Sequence, residues 1–198
     1  MIRILKADEY RRMPWRNGRG ETAEVAIGPA GATLSDFDWR VSMARIDADG
    51  PFSIFPQTDR TLAVLRGDGL HLSIANSAPV ELTCDAEPLV FPGDVAVDAT
   101  LLGGTVTDLN VMTHRGRLKH SVRRLRIAGS VELALEAPLA LLVCAEGAVH
   151  VEVNAHTVEL ATLDTLILEE TPAALRIFSD ALALTYLIEI HPEARFGR

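Results

Sequence analysis

Three apolar runs each carry a pair of polar residues two positions apart. ETAEVAI holds Thr22 and Glu24, DWRVSMARI holds Arg40 and Ser42, and TVTDLNVM holds Asp108 and Asn110. In an extended strand successive side chains point to opposite faces, so each pair shares one face and the apolar residues between them share the other. The chemistry on offer is recognition of a polar ligand. The Arg40 guanidinium matches a carboxylate through two parallel hydrogen bonds. Asn110 donates and accepts, and so reads an amide or an imidazole. Glu24 or Asp108 would hold a ligand N–H, orient the arginine, or act as an acid or base. Alternation alone leaves two readings open. The polar faces look at water over an apolar core, or they line the mouth of a barrel.

Two loops add candidates. PWRNGRG places Trp15, Arg16, Asn17, Gly18, Arg19 and Gly20 directly before the Thr22/Glu24 run, and DGPFSIFPQTDR places Phe52, Phe55, Asp59 and Arg60 before another strand. The phenylalanines either plug a barrel end or cover a ligand.

Other chemistries find little support. The six histidines form no His-x-His pair and no cluster with glutamate on one strand, so no metal site is expected. There is no G-x-S-x-G elbow, and neither Cys84 nor Cys144 has an activating context. GRGE and LLGGTV are turns that open no helix, so neither is a phosphate loop. No cofactor is expected.

The elements that would position these residues are strands. Eleven or so short runs alternate with period two between Gly, Pro, Asp and Asn, the pattern of a sandwich or barrel. Only LKADEYRRM (Leu5–Met13) has a helical cast, for a couple of turns. The chain repeats itself at an offset of about 78 residues, with His71 opposite His150 and Val80-Glu81-Leu82 opposite Val158-Glu159-Leu160. Two related β-barrel lobes are expected, residues 1–117 with the pocket and 118–198 without it. The second lobe's strands are apolar on both faces, as in a packed element. The join is rich in arginine, but Arg124 and Arg126 alternate with Leu125 and Ile127 as on a solvated strand edge, and no aromatics interleave for base stacking.

Composition bounds the rest. The 198 residues support a sizeable core, and 48% hydrophobic content marks a globular chain with few aromatics. Lys+Arg number 19 against 27 Asp+Glu, a net charge of −8 that disfavours nucleic acid and anionic membrane as partners. No apolar segment has the length of a span or a leader. A cytoplasmic protein is expected, with barrel edges that would allow a homodimer.

The segments RRMPWRNGRGETAEVA, FDWRVSMARIDADGPFSIFPQTDRTLAVLRGDGLHL, FPGDVAV and TDLNVM together resemble the HutD/Ves family of bacterial proteins, over about residues 1–115 and in the family's order. The resemblance implies an all-β bicupin, two RmlC-like jelly-roll lobes in one chain, without the metal-binding histidines of typical cupins. It implies a proposed ligand-sensing, regulatory role beside histidine breakdown in one branch, a link to environmental stress in the other, and no firmly attached reaction. Its shared residues fall on Trp15, Asn17, Thr22, Glu24, Trp39, Arg40, Ser42, Phe52, Ser53, Phe55, Arg60 and Asn110. The family loop is usually closer to Trp-Lys-Asn-Gly-Gly-Gly, so Arg19 stands where glycine is common and is expected to narrow or re-aim the loop.

The resulting expectation is a non-enzymatic binding protein for a small anionic metabolite, such as urocanate or an N-formyl or N-formimino glutamate. Its contacts would come from Trp15, Arg16, Asn17, Thr22, Glu24, Arg40, Ser42, Phe52, Phe55, Arg60, Asp108 and Asn110. The alternatives are a metal-free cupin isomerase or hydrolase using Glu24 or Asp108, and a stress-associated interaction protein.

Overall fold

A computed structural model describes residues 1–154, 156–170 and 174–193. The strands in chain order are β1 (Ile2–Leu5), β2 (Arg11–Pro14), β3 (Gly20–Gly28), β4 (Trp39–Ile46), β5 (Gly50–Pro51), β6 (Thr58–Arg66), β7 (Leu70–Ile74), β8 (Val80–Leu82) and β9 (Leu89–Pro92). They continue as β10 (Val97–Leu101), β11 (Val106–His114), β12 (Leu118–Ala134), β13 (Leu139–Glu146), β14 (Val149–Val153), β15 (His156–Leu160), β16 (Thr165–Glu169) and β17 (Ala174–Pro192). The described residues contain no helix.

The chain divides into two compact units. One joins Met1–Tyr10 to His120–Pro192, the other spans Arg11–Lys119 and takes in Glu193. The expected boundary assigned residues 1–10 to the first lobe, but β1 pairs antiparallel with β16 of the second. The helix expected over Leu5–Met13 is replaced by two short strands and a turn for the same reason. The backbone of β1 completes the edge of β16. The turn that follows is pinned by Lys6 Nζ on Asp164 (2.7 Å), the Ala7 N–H on Asp164 (3.0 Å), and the Tyr10 hydroxyl on the Leu163 carbonyl (2.6 Å) and Thr165 (2.8 Å). Tertiary hydrogen bonds of this kind outweigh a helix propensity of a few tenths of a kcal/mol per residue.

In the unit that carries the polar pairs, six strands run in the order β2-β3-β4-β11-β6-β9, and four in the order β5-β10-β7-β8. Side chains including Ile46, Leu62, Val64, Leu70, Leu72 and Val106 pack into one core, with Trp15 and Phe52 at its margin. The other unit has one seven-stranded sheet, β1-β16-β13-β17-β14-β15 with β12 paired to β17, around an aliphatic core that includes Leu142, Val151, Leu166 and Leu187.

The sequence repeat is a repeat of pairing. β6 lies between β11 and β9 as β13 lies between β17 and β16, and β7 pairs β8 as β14 pairs β15. One difference separates the copies. The long β17 pairs with both β13 and β14, whereas β10 and β11 divide that role, broken at Leu102–Thr105.

Candidate functional site

Three neighbouring strands bring the polar pairs together. In the β4–β11 register Ser42 faces Asn110, Ala44 faces Asp108 and Arg40 faces Met112. In the β11–β6 register Met112 in turn faces Arg60. Cross-strand partners share a face, so Arg40, Met112 and Arg60 form one row and Ser42 and Asn110 the next. β3 adds Thr22 opposite Ala44 and Glu24 opposite Ser42. A register shift between Glu24 and Ala26 then breaks the alternation, and Ile27 falls opposite Arg40 rather than on the face of Ala23.

The polar face looks inward. Arg40, Ser42, Asp108, Asn110 and Arg60 are all buried, and all line a cavity of about 510 Å³. The water-facing reading of these strands therefore fails. Trp15, Arg16, Asn17, Thr22, Phe52 and Phe55 line the same cavity. Of the expected contacts only Glu24 is not part of the lining. Its Oε2 accepts from Arg40 Nε at 3.0 Å, an ion pair with both side chains largely out of solvent. Glu24 therefore orients Arg40 from outside the lining.

Sequence reasoning did not place Met13, Pro14, Leu34, Ala44, Pro51 or Met112 in the lining, and it named Ser53 only as a residue shared with the family. Ala44 and Met112 were legible in principle, since each continues the spacing of a polar pair. Leu34 lies in the connection between β3 and β4 and carried no signal.

A hydrogen-bonded chain crosses the cavity wall. Arg60 Nε donates to Asn110 Oδ1 at 2.8 Å, with Nη2 on the same oxygen. Asn110 Nδ2 donates to Asp108 Oδ1 at 2.6 Å, and the Ala44 N–H reaches that oxygen at 3.1 Å. The amide orientation follows from having a donor on one side and an acceptor on the other. The Arg60 guanidinium also lies over the Phe52 ring at 4.7 Å and the Phe91 ring at 5.4 Å. Burial pushes Arg60 down to about 10, against the attraction of Asp108 and with a further push from Arg40. Burial pushes Asp108 up to about 7, against Arg60, the Ala44 N–H and Asn110.

Arg60 thus has no carboxylate within ion-pair distance among the described residues. Its bonded partner is a neutral amide, and Nη1 carries no hydrogen bond within them. Both terminal nitrogens of Arg40 are in the same state. A lone buried guanidinium costs several kcal/mol unless something anionic meets it. The arrangement can therefore take up an anion at the Arg60 end, with Ser42 and Asn110 beside it and Trp15, Phe52 and Phe55 as apolar walls. The lining has no histidine or cysteine and one carboxylate among its arginines, so it does not fit a divalent metal.

The loop before β3 lines the cavity with Trp15, Arg16 and Asn17 and is held from behind by its second half. The Asn17 Oδ1 accepts the Arg19 N–H at 3.0 Å, and the Asp47 N–H donates to the Arg19 carbonyl at 3.0 Å. Gly18 turns the chain at φ +68. Gly20 has no room for a side chain, because a Cβ would collide with the Arg45 carbonyl and lie 2.9 Å from the Trp15 ring. Arg19 does not enter the cavity. Its Nη1 donates to the Asp49 carbonyl at 3.1 Å and ties the loop to the segment after β4. The Trp15 indole donates to Thr22 at 2.9 Å and closes that corner.

Two jelly-roll lobes in one chain, one of them holding a cavity, make this a bicupin. The family model for HutD matches residues 7–184, and the chain belongs to the HutD family. It is 34% identical over 157 residues to an uncharacterised 21.2 kDa protein in the hutC 3' region of Pseudomonas putida, covering 77% of each chain. A conserved protein of unknown function from Pseudomonas aeruginosa PAO1 shares the fold at a TM-score of 0.88 and 32% identity, over 96% of this chain and 99% of that one. HutD from Pseudomonas fluorescens SBW25 follows at a TM-score of 0.82 and 27% identity, over 98% and 100%.

Proposed function

We propose that this chain is a cytoplasmic small-molecule-binding protein that senses an anionic metabolite of histidine breakdown and serves its regulation. The observation that carries the reading is Arg60, a buried cation whose bonded partner is the neutral Asn110 and whose Nη1 has no hydrogen bond among the described residues. An excess of cation inside a chain of net charge −8 is costly unless a bound anion compensates it. The relative in the hutC region and the likeness to HutD support the histidine setting. Candidate ligands are urocanate, N-formylglutamate and N-formiminoglutamate. Their carboxylate would meet Arg60, with Arg40 and Arg16 at hand. Their nitrogen-bearing end would face Ser42 and Asn110.

The test is a thermal-shift and calorimetric titration with the three metabolites, and NMR of each after prolonged incubation. At least one is expected to raise the melting temperature, bind with measurable heat and be recovered unchanged. If none shifts melting or gives heat at millimolar concentration, this ligand class is wrong.

One observation favours a second reading. Asp108 sits in the cavity with its carboxyl pushed up to about 7 by burial, in the range useful to a general acid or base. An enzyme of this kind would turn one of the metabolites over, and Asp108→Asn would bind it without turnover.

A further inference from the structure

We propose that the cavity takes its anion together with a proton, Asp108 meeting the ligand as a neutral carboxylic acid that donates from Oδ2. The inference rests on the anion-binding reading above and assigns Asp108 a role opposite to that of an acceptor for a ligand N–H.

The geometry is one-sided. Both donors that reach Asp108, the Ala44 N–H and Asn110 Nδ2, meet the same oxygen, Oδ1. Among the described residues Oδ2 accepts nothing, on a residue that lines the cavity and is 1% exposed. Among the described residues no cation touches Asp108, because the Arg60 hydrogen bonds end on Asn110 and the Arg40 ion pair ends on Glu24. The charged groups that face it are Arg60 from β6, Arg40 from β4 with Glu24 from β3 attached, and Arg16 from the loop before β3. The cavity lining contains no histidine.

An anion drawn to Arg60 Nη1 therefore enters beside a carboxyl group that lines the same cavity and has one oxygen without a donor among the described residues. As a carboxylate, Asp108 repels it. As an acid, it supplies a second hydrogen bond to the anion. The ligand's charge raises the proton affinity of Asp108, and by linkage the proton raises the affinity for the ligand. The free protein already holds this proton up to about pH 7, because burial disfavours the carboxylate. Below that pH binding is strong and takes up little. Above it, binding draws in up to one proton and weakens by up to about tenfold per pH unit.

The probes are N-formylglutamate and acetate, whose own carboxyl groups stay ionised above pH 6. Each is titrated calorimetrically at pH 7.5 in phosphate, Hepes and Tris buffers, whose ionisation enthalpies differ, and then from pH 6 to 8.5. The expected result is uptake of up to about three-quarters of a proton at pH 7.5, with affinity falling above pH 7. Asp108→Asn, which mimics the protonated acid, should bind both probes with no uptake and a flat profile over that range. Binding by the wild type without proton uptake overturns this proposal and leaves the anion reading standing. So does an Asp108→Asn protein that keeps the wild-type slope. If neither probe binds, this proposal fails, and urocanate and N-formiminoglutamate then decide the anion reading. Should the variant not fold, the buffer dependence of the wild type decides alone.

Discussion

Arg60 is expected to trade stability for binding. A buried cation held by an amide and two aromatic rings gains little for the free protein. Arg60→Met should leave the melting temperature unchanged or raise it, while anion affinity falls at least about 100-fold. Glu24 should behave in the opposite way. Glu24→Ala leaves Arg40 buried without its carboxylate and should cost about 3 kcal/mol in denaturant unfolding. Asp108 gives a pH signature. Its proton is held up to about 7 in the folded chain and up to the ordinary value of 3.8 when unfolded. Between these values the folded state binds more protons, so this group's contribution to stability falls as pH rises. Asp36, Asp47, Asp94 and Asp164 are shifted the other way. The informative measurement is therefore the difference between wild type and Asp108→Asn, which should widen in the variant's favour from pH 4 to 7 and then level off. The residue types of this site were legible from spacing, since Arg40, Ser42, Asp108 and Asn110 read as shared faces at once. Their division of labour was not. Which arginine owns a carboxylate depends on register across strands that are distant in sequence, and it is Glu24 on β3 that claims Arg40.

Most strands read correctly from period-two alternation, whereas the basic join proves to be a long strand, β12, and other exceptions have local causes. LKADEYRRM scans as helical because its residues favour helix, yet the edge of β16 and the Asp164 carboxylate offer its backbone and side chains better partners. The face of Ile27 was misread because the bulge after Glu24 leaves no mark in residue type. In the loop Trp15–Gly20 the first three residues line the cavity, and Gly18–Gly20 hold them in place from outside the lining. Gly20→Ala should force either the Trp15 ring or the Arg45 carbonyl to move, costing about 1–3 kcal/mol and weakening ligand binding by displacing the cavity wall. Arg19→Ala removes only an exposed tie to Asp49. It should leave affinity within about twofold, with a loss of stability within about 0.5 kcal/mol by thermal melt.

At the scale of the molecule, the repeat was visible in sequence because pairing order is preserved, and its asymmetry was visible because one copy carries the paired polar residues that line the cavity. The two copies also differ in how their last strand is built, continuous as β17 and split as β10 and β11. What the sequence concealed was the ownership of the first ten residues, since pairing between β1 and β16 depends on contacts at the far end of the chain. A protein lacking residues 1–5 should expose the β16 edge, unfold at lower temperature and aggregate more readily, as followed by light scattering during the melt.

That long-range pairing has a consequence during synthesis. Met1 lies 168 residues ahead of Glu169, whose carbonyl it meets in the folded chain. At ordinary ribosomal speeds the interval is roughly ten to thirty seconds. The nascent polypeptide therefore carries β1 as an unpaired edge strand for that time, while the segment that will form the cavity-bearing unit, Arg11–Lys119, has already left the ribosome. β1 is thus among the last strands to find its partner.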